Sequence, residues 1–385
     1  MAQNNPLKEH WHKNRSILLT IFALFVATRI VFGLIQIVVS HELKPQAYQN
    51  WKITELAGEN AYLSSWAVWD SEWYLKIAQT GYSDASNFNP NKYSTVGFFP
   101  LYGVVMMLVG FLVGNNLLAG FLISNICFIV SAFLLYLLVR EDDDEATARR
   151  SVWYLFLLPF SFIFSAIYPE SALLCAWLAC ILMAKKEKWF WVGLTGMLAA
   201  VIKPLGLFIL IPAAIIYFQK KNYDWRSVKF LDALWFGLIP LGTALVGMAD
   251  FIVTGDFLAY SHVQDGAWHH FFADPIVTMY HFFFNFGFDW TFNAIALFIY
   301  FVILCFGYRK IPFAYWLFSF LIMAFIPFNG VVIGVMRYMA SLFPIVIILA
   351  KWGKSDNADR AIVASLAILQ GTFFVFWLCG YWFLS

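Results

Sequence analysis

Apolar residues run along this chain in long blocks. Stretches with few or no charges recur at about 16–40, 97–114, 116–139, 151–167, 171–184, 189–202, 205–218, 231–253, 292–307, 313–328, 338–350 and 361–384, with short polar segments between them. A helix needs about 20 apolar residues to cross the hydrocarbon core of a bilayer. Many such blocks in one chain therefore predict an all-α, polytopic bundle of membrane helices. Ser16 to Ser40 is too long for the core of a signal peptide, and no small-residue cleavage site follows it, so it is expected to remain as the first span.

Lysine and arginine positions set the expected topology. If all twelve blocks crossed, the basic N-terminus and the segment Arg140 to Arg150 would lie on opposite faces, against the rule that short cytoplasmic loops collect Lys and Arg. One block must therefore fail to cross. The best candidate is 97–114, which follows a polar loop, opens with Phe98-Phe99-Pro100 and contains Gly97, Gly103, Gly110 and Gly114. Treated as a juxtamembrane or re-entrant element, it leaves about eleven transmembrane helices with the N-terminus inside. Eighteen of the 25 basic residues then fall on the cytoplasmic side. Residues 1–385 read as one integral membrane domain with two long outer segments, 41–115 and 254–291, where function is to be sought.

Composition supports this reading. The chain is 62% hydrophobic and only 12% charged, against about 25% charged residues in soluble domains. A net charge of +2 offers no concentrated basic patch for nucleic acid. Cys127, Cys175, Cys180, Cys305 and Cys379 all sit in apolar blocks without metal or redox spacing, and read as small hydrophobes.

In the first outer segment, the stretch from Asn60, a helix N-cap, to Gly81, a stop, predicts an interfacial helix over Ala61–Thr80. At 100° per residue, Trp66, Trp69, Trp73 and Ile77 share a face with Asp70, while Glu72 and Lys76 form an i, i+4 pair on the other side. A carboxylate among indoles loses hydration and needs a partner or a function. It is either neutralised by an ion pair, used to cap a helix, or employed as a general base. Glu170, Lys203 and Arg337 each stand at the outer end of an apolar block, where charge is costly. Glu170 also suits a helix N-terminus, and snorkelling accounts for either cation alone. Together, Lys203 and Arg337 suggest a phosphate site. His262, His269, His270 and His281, with Asp265 and Asp274, occupy the second outer segment; their spacing fits no zinc pattern, and membrane anchoring is the favoured reading.

The run Trp69 to Tyr82 (WDSEWYLKIAQTGY) followed by Phe98-Phe99-Pro100 resembles the signature of the glycosylphosphatidylinositol mannosyltransferase II (PIG-V) family. Ser124-Asn125, Tyr168-Pro169-Glu170-Ser171, Lys203-Pro204-Leu205-Gly206 and Arg337-Tyr338 with Phe343-Pro344 are similar to its later motifs, in order. The resemblance implies the GT-C type of fold, with juxtamembrane helices in the first outer loop. It also implies inverting transfer of a sugar, mannose in the first place, from a polyprenyl-phosphate donor to a glycan or glycolipid acceptor on the outer face. Asp70 would be the base, with Glu170 beside it. Lys203, Arg337, Tyr338, Trp69, Trp73, Tyr74 and Tyr168 would bind substrate and phosphate. No resident metal site is assigned, although a divalent cation could assist. Trp73 stands where eukaryotic members usually have His, and Lys203 where they usually have Arg. The first departure bears on the acceptor, and the second keeps a cation for the phosphate. Compact outer loops free of Asn-x-Ser/Thr point to a bacterial plasma membrane, with a periplasmic or extracellular active site. The alternatives are a related enzyme using polyprenyl-linked glucose or arabinose and, from another class, a lipid or solute transporter or flippase.

Overall fold

The computed structural model describes residues 6–43, 61–82, 87–284 and 287–381. These are helical and contain no strand. In chain order the α-helices are α1 (Pro6–Val38), α2 (Ala61–Ser64), α3 (Ser71–Thr80), α4 (Leu101–Val113), α5 (Asn116–Asp142), α6 (Glu145–Leu157), α7 (Glu170–Lys185), α8 (Trp189–Ile202) and α9 (Leu210–Lys220). They continue with α10 (Phe230–Thr254), α11 (Ala259–Gly266), α12 (Pro275–Phe284), α13 (Phe288–Phe306), α14 (Phe313–Phe328), α15 (Val335–Ala340), α16 (Phe343–Trp352) and α17 (Asp356–Leu378).

Five helical stretches are long and apolar enough to cross a membrane: Asn14–Glu42, Asn116–Asp142, Phe230–Thr254, Phe288–Phe306 and Asp356–Leu378. Their outer faces carry large exposed apolar side chains, among them Leu19, Phe22 and Leu34 on α1 and Phe251 and Ile252 on α10. Contiguous apolar surface of this kind is a liability in water and ordinary against lipid. This is a helical membrane protein.

The other apolar blocks are shorter or broken, each for a local reason. The helix within 97–114 covers only Leu101–Val113, about 20 Å at 1.5 Å per residue. It starts after Pro100 and stops at Gly114, and Asn115 then caps α5 by accepting the Leu118 N–H at 2.9 Å. Block 151–167 is no single helix, because α6 ends before Pro159 and a 3-10 turn, Ser161–Phe164, follows. The carbonyls released there are recovered by Gln370 of α17, whose Nε2 donates to Phe156 O at 2.7 Å and Leu158 O at 3.2 Å. Block 205–218 begins as a 3-10 turn, Pro204–Ile209. Block 338–350 is divided between α15 and α16, with Pro344 in the first turn of α16.

The two long segments expected on the outer side, 41–115 and 254–291, are also helical in part. The first holds α2, α3 and α4, and the second α11 and α12. Asn60, expected as an N-cap, lies outside the described residues. The stop at Gly81 is present: its N–H donates to Ile77 O at 2.9 Å. The helix expected across Ala61–Thr80 is interrupted, however, and that interruption builds the site.

Candidate functional site

Helix α2 ends at Ser64 and α3 starts at Ser71, with Trp69 at φ +51° between them. A bulky residue in the left-handed region needs support from its surroundings. Tyr168 supplies it. Its hydroxyl donates to Val68 O at 2.8 Å and accepts the Asp70 N–H at 3.2 Å, pairing the two backbone groups on either side of Trp69. The Ile167 N–H donates to Trp66 O at 2.8 Å, a second tie to the same segment. Trp66 stacks on Phe374, and Trp69 packs edge-on against Trp377 with ring centres 4.6 Å apart. The expected arc of tryptophans around Asp70 therefore does not form: the kink sends Trp66 and Trp69 into the core and turns Asp70 away from them.

Asp70 occupies the N-cap position of α3, yet its side chain caps nothing. Its Oδ2 instead lies 2.5 Å from Arg337 Nη1. Glu170, the first residue of α7, is 1% exposed and receives Lys203 Nζ on Oε1 at 2.7 Å. Arg337 Nε is 3.3 Å from the same oxygen, close enough for an ion pair but not aligned as a hydrogen bond. The four charged residues singled out from the sequence thus meet, although Asp70 and Arg337 lie 267 positions apart. Tyr338 covers the cluster: Lys203 Nζ sits 4.4 Å from its ring centre, and Arg337 Nη2 donates to its hydroxyl at 3.3 Å.

Each cation is presented by a break in a helix. Lys203 is extended (φ −160°, ψ 149°) because Pro204 follows it. Gly206 lets that turn fold back onto α8, since a Cβ there would lie 1.8 Å from Ala199 O. Arg337 sits on α15, a single short helix entered through Gly334 at φ +64°.

The cluster forms part of the wall of a cleft of about 150 Å³, room for about one ring-sized group. Asp70, Lys203, Arg337, Tyr338 and Tyr74 line it. Glu170 does not; it stands behind, holding both cations. Trp73 stacks on Phe98 and makes an edge contact with Trp268, behind the cleft surface. Trp69 and Tyr168 shape the site without lining it. The pair Glu72–Lys76 forms as expected, at 2.6 Å, with both side chains half-buried.

The segment 254–291 supplies lining that the sequence did not reveal: Tyr260, Gln264 and Trp268, with His270. Gln264 Nε2 donates to Gly97 O at 2.8 Å, joining segments 41–115 and 254–291 at the cleft. The one available signal was a dense Trp-His cluster in an outer loop. His270 Nε2 is buried without a hydrogen-bond partner. Burial pushes this imidazole down to about 4; Asp70 pulls it up, and Arg337 adds to the fall. It is neutral at pH 7. His262 instead pairs with Asp256 at 2.5 Å and holds that carboxyl below its usual range. Among the described residues no three His, Cys, Asp or Glu side chains converge as a metal site.

Fold and site together define an integral membrane protein with a polar, charge-paired cleft at one end of its bundle. No family profile matches the chain, and no curated protein is significantly similar to it.

Proposed function

We propose that this protein is an inverting glycosyltransferase of GT-C type that moves a sugar, mannose in the first place, from a polyprenyl-phosphate donor to a glycan or glycolipid acceptor at the outer face of a bacterial plasma membrane. The observation that carries the proposal is the convergence of Asp70, Glu170, Lys203 and Arg337 at a cleft small enough for one ring.

The reading divides the two acids. Asp70 has a side chain 29% exposed, against 1% for Glu170, so Asp70 can meet a substrate hydroxyl while Glu170 positions the cations. The acceptor oxygen attacks the first carbon of the sugar as the bond from that carbon to the phosphate oxygen breaks. The acceptor proton passes to Asp70, and polyprenyl phosphate leaves with the bonding electron pair. As a set, two carboxylates and two cations are neutral. Once Asp70 takes the proton the set carries one positive charge, at the moment the phosphate gains a negative one. Arg337, released from Asp70, can then turn its fork to the leaving group. The expected topology of about eleven crossings belongs to this same reading, with the shorter helices crossing alongside the five long ones.

A second reading is favoured by the broken helices at Lys203–Ile209 and Gly334–Ser341, since transporters build substrate sites from discontinuous helices. One experiment separates the two. In proteoliposomes supplied with polyprenyl-phosphate mannose and a glycolipid extract, a transferase yields a mannosylated product and an Asp70→Asn variant loses about a hundredfold or more of the rate. Substrate crossing the bilayer unchanged would favour the transporter, and near-full turnover by the variant would remove Asp70 as the base.

A further inference from the structure

The far end of α10 from the cleft holds a second cavity, of about 320 Å³, between α9 and α10. Along α10 its lining stands at Ala233 and Phe236, while along α9 it begins at Leu210, five residues beyond Leu205 of the cleft. Leu210, Ala214, Phe218, Val228, Ala233 and Phe236 line it with hydrocarbon and aromatic carbon. Tyr217 is the one residue of the lining with a polar side chain, and its hydroxyl is already engaged. It donates to Asp232 Oδ2 at 2.9 Å and accepts the Lys229 N–H at 3.3 Å. The cavity therefore offers an occupant no hydrogen bond and suits an alkyl chain.

Its rim is different in kind. The segment 220–230 carries Lys220, Lys221, Arg226 and Lys229 beside exposed Tyr223, Trp225 and Phe230. Trp225 packs on Phe218 of the lining with ring centres 4.5 Å apart, and Lys221 Nζ lies 5.6 Å from the Tyr217 ring. The rim is thus continuous with the cavity. Lys220 stands 3.8 Å from Glu187. Among the described residues, no carboxylate comes within ion-pair distance of Lys221, Arg226 or Lys229. The neighbouring Asp224 directs Oδ1 to the Arg226 backbone N–H at 3.0 Å.

We propose that this is a binding site for an anionic phospholipid, with one acyl chain in the cavity and the head-group phosphate held by Lys221, Arg226 and Lys229. Exposed aromatics place such a rim at the head-group level, and cations there attract anionic lipid. The two halves of the site correspond to the two halves of one ligand, which neither a soluble anion nor a neutral lipid would match. The proposal is independent of the transferase reading.

The test is native mass spectrometry, with thermal unfolding, of the purified full chain in detergent. Phosphatidylglycerol, phosphatidylcholine of the same acyl chains and inorganic phosphate are titrated separately. Phosphatidylglycerol is expected to bind at least about tenfold more tightly than phosphatidylcholine. The combined variant Lys221→Gln, Arg226→Gln, Lys229→Gln should lose that preference, and Ala214→Phe should weaken retention of both lipids. Equal retention of the two lipids by the unaltered protein would overturn the proposal, as would a preference that survives the triple variant. Full competition by inorganic phosphate would overturn it too, by reducing the site to an anion contact without a chain. If Ala214→Phe fails to fold, the exposed charge variant still decides the matter.

Discussion

Both ends of the bundle are held by ion pairs, but on different terms. Opposite the cleft, Lys351 meets Asp143 at 2.6 Å, Lys354 reaches Asp144 at 3.5 Å, Lys185 pairs with Asp142, and Arg150 lies 3.3 Å from Asp359. These groups sit at or near helix ends and keep contact with solvent, and further donors share the load: the Tyr154 hydroxyl donates to Asp359 Oδ1 and the Tyr315 hydroxyl to Asp142 Oδ2. At the cleft Glu170 and Arg337 are buried, the cations stand on broken helices, and Glu170 Oε2, Arg337 Nε and His270 Nε2 are left without hydrogen-bond partners. Unsatisfied buried polar atoms are rare enough to call for a reason. Under the proposed function, the contrast separates charges that close a bundle from charges held ready for a ligand.

Arg337→Ala is the strongest test of that contrast. It removes the partner of Asp70 and one of two partners of Glu170, which stays buried beside Lys203 alone. Breaking a buried pair from one side costs about 3–5 kcal/mol, so a large fall in thermal unfolding temperature is expected together with loss of transfer. Tyr168→Phe comes next. It should unpair Val68 O and the Asp70 N–H at a cost of about 1–3 kcal/mol. Because those bonds hold the kink that aims Asp70, the fall in activity should exceed the fall in stability. A variant that lost stability alone would show that the kink does not position the base.

His270 sharpens the comparison through pH. Its proton affinity is lower in the folded chain, at about 4, than the ordinary value of 6.5. Between these values the unfolded chain binds more protons, so stability should rise as pH increases from about 4 to 6.5 and level off above. Replacing His270 by Gln should flatten that part of a melting-temperature profile. A profile unchanged by the substitution would mean that the imidazole is not held neutral by its surroundings.

Four charges stand out in the sequence and the structure brings them together, but nothing in the sequence says why they meet. Asp70, Glu170, Lys203 and Arg337 stand out because each interrupts or borders an apolar block, a local property. Their convergence depends on long-range packing, and no spacing between them encodes it. The helix through Ala61–Thr80 was misread for a related reason. A helical period cannot foresee a left-handed Trp69, which is stabilised by a tyrosine about a hundred positions away. Block counting treated 151–167, 205–218 and 338–350 as uninterrupted. Pro159, Pro204 and Pro344 mark the breaks, and apolar length alone does not register them. Tyr260 and Gln264 carried no signal, since nothing in an outer segment shows which of its residues will fold over a cleft.

The smallest effect is expected at Lys354, and its smallness is informative. Its side chain is 55% exposed, as is that of Asp144, and Asp143 already has Lys351 closer at hand. Exposed pairs of this kind contribute up to about 1 kcal/mol, and added salt screens them over about 10 Å at 0.1 M. Lys354→Ala should therefore shift the melting temperature only slightly, with the difference vanishing in high salt, and should leave transfer untouched. The Arg337→Ala deficit should persist in high salt, because Glu170, 1% exposed, is shielded from counterions. Were both variants to show the same salt response, the cleft pairs would be ordinary closing contacts, and the argument that they are reserved for a ligand would lose its physical basis.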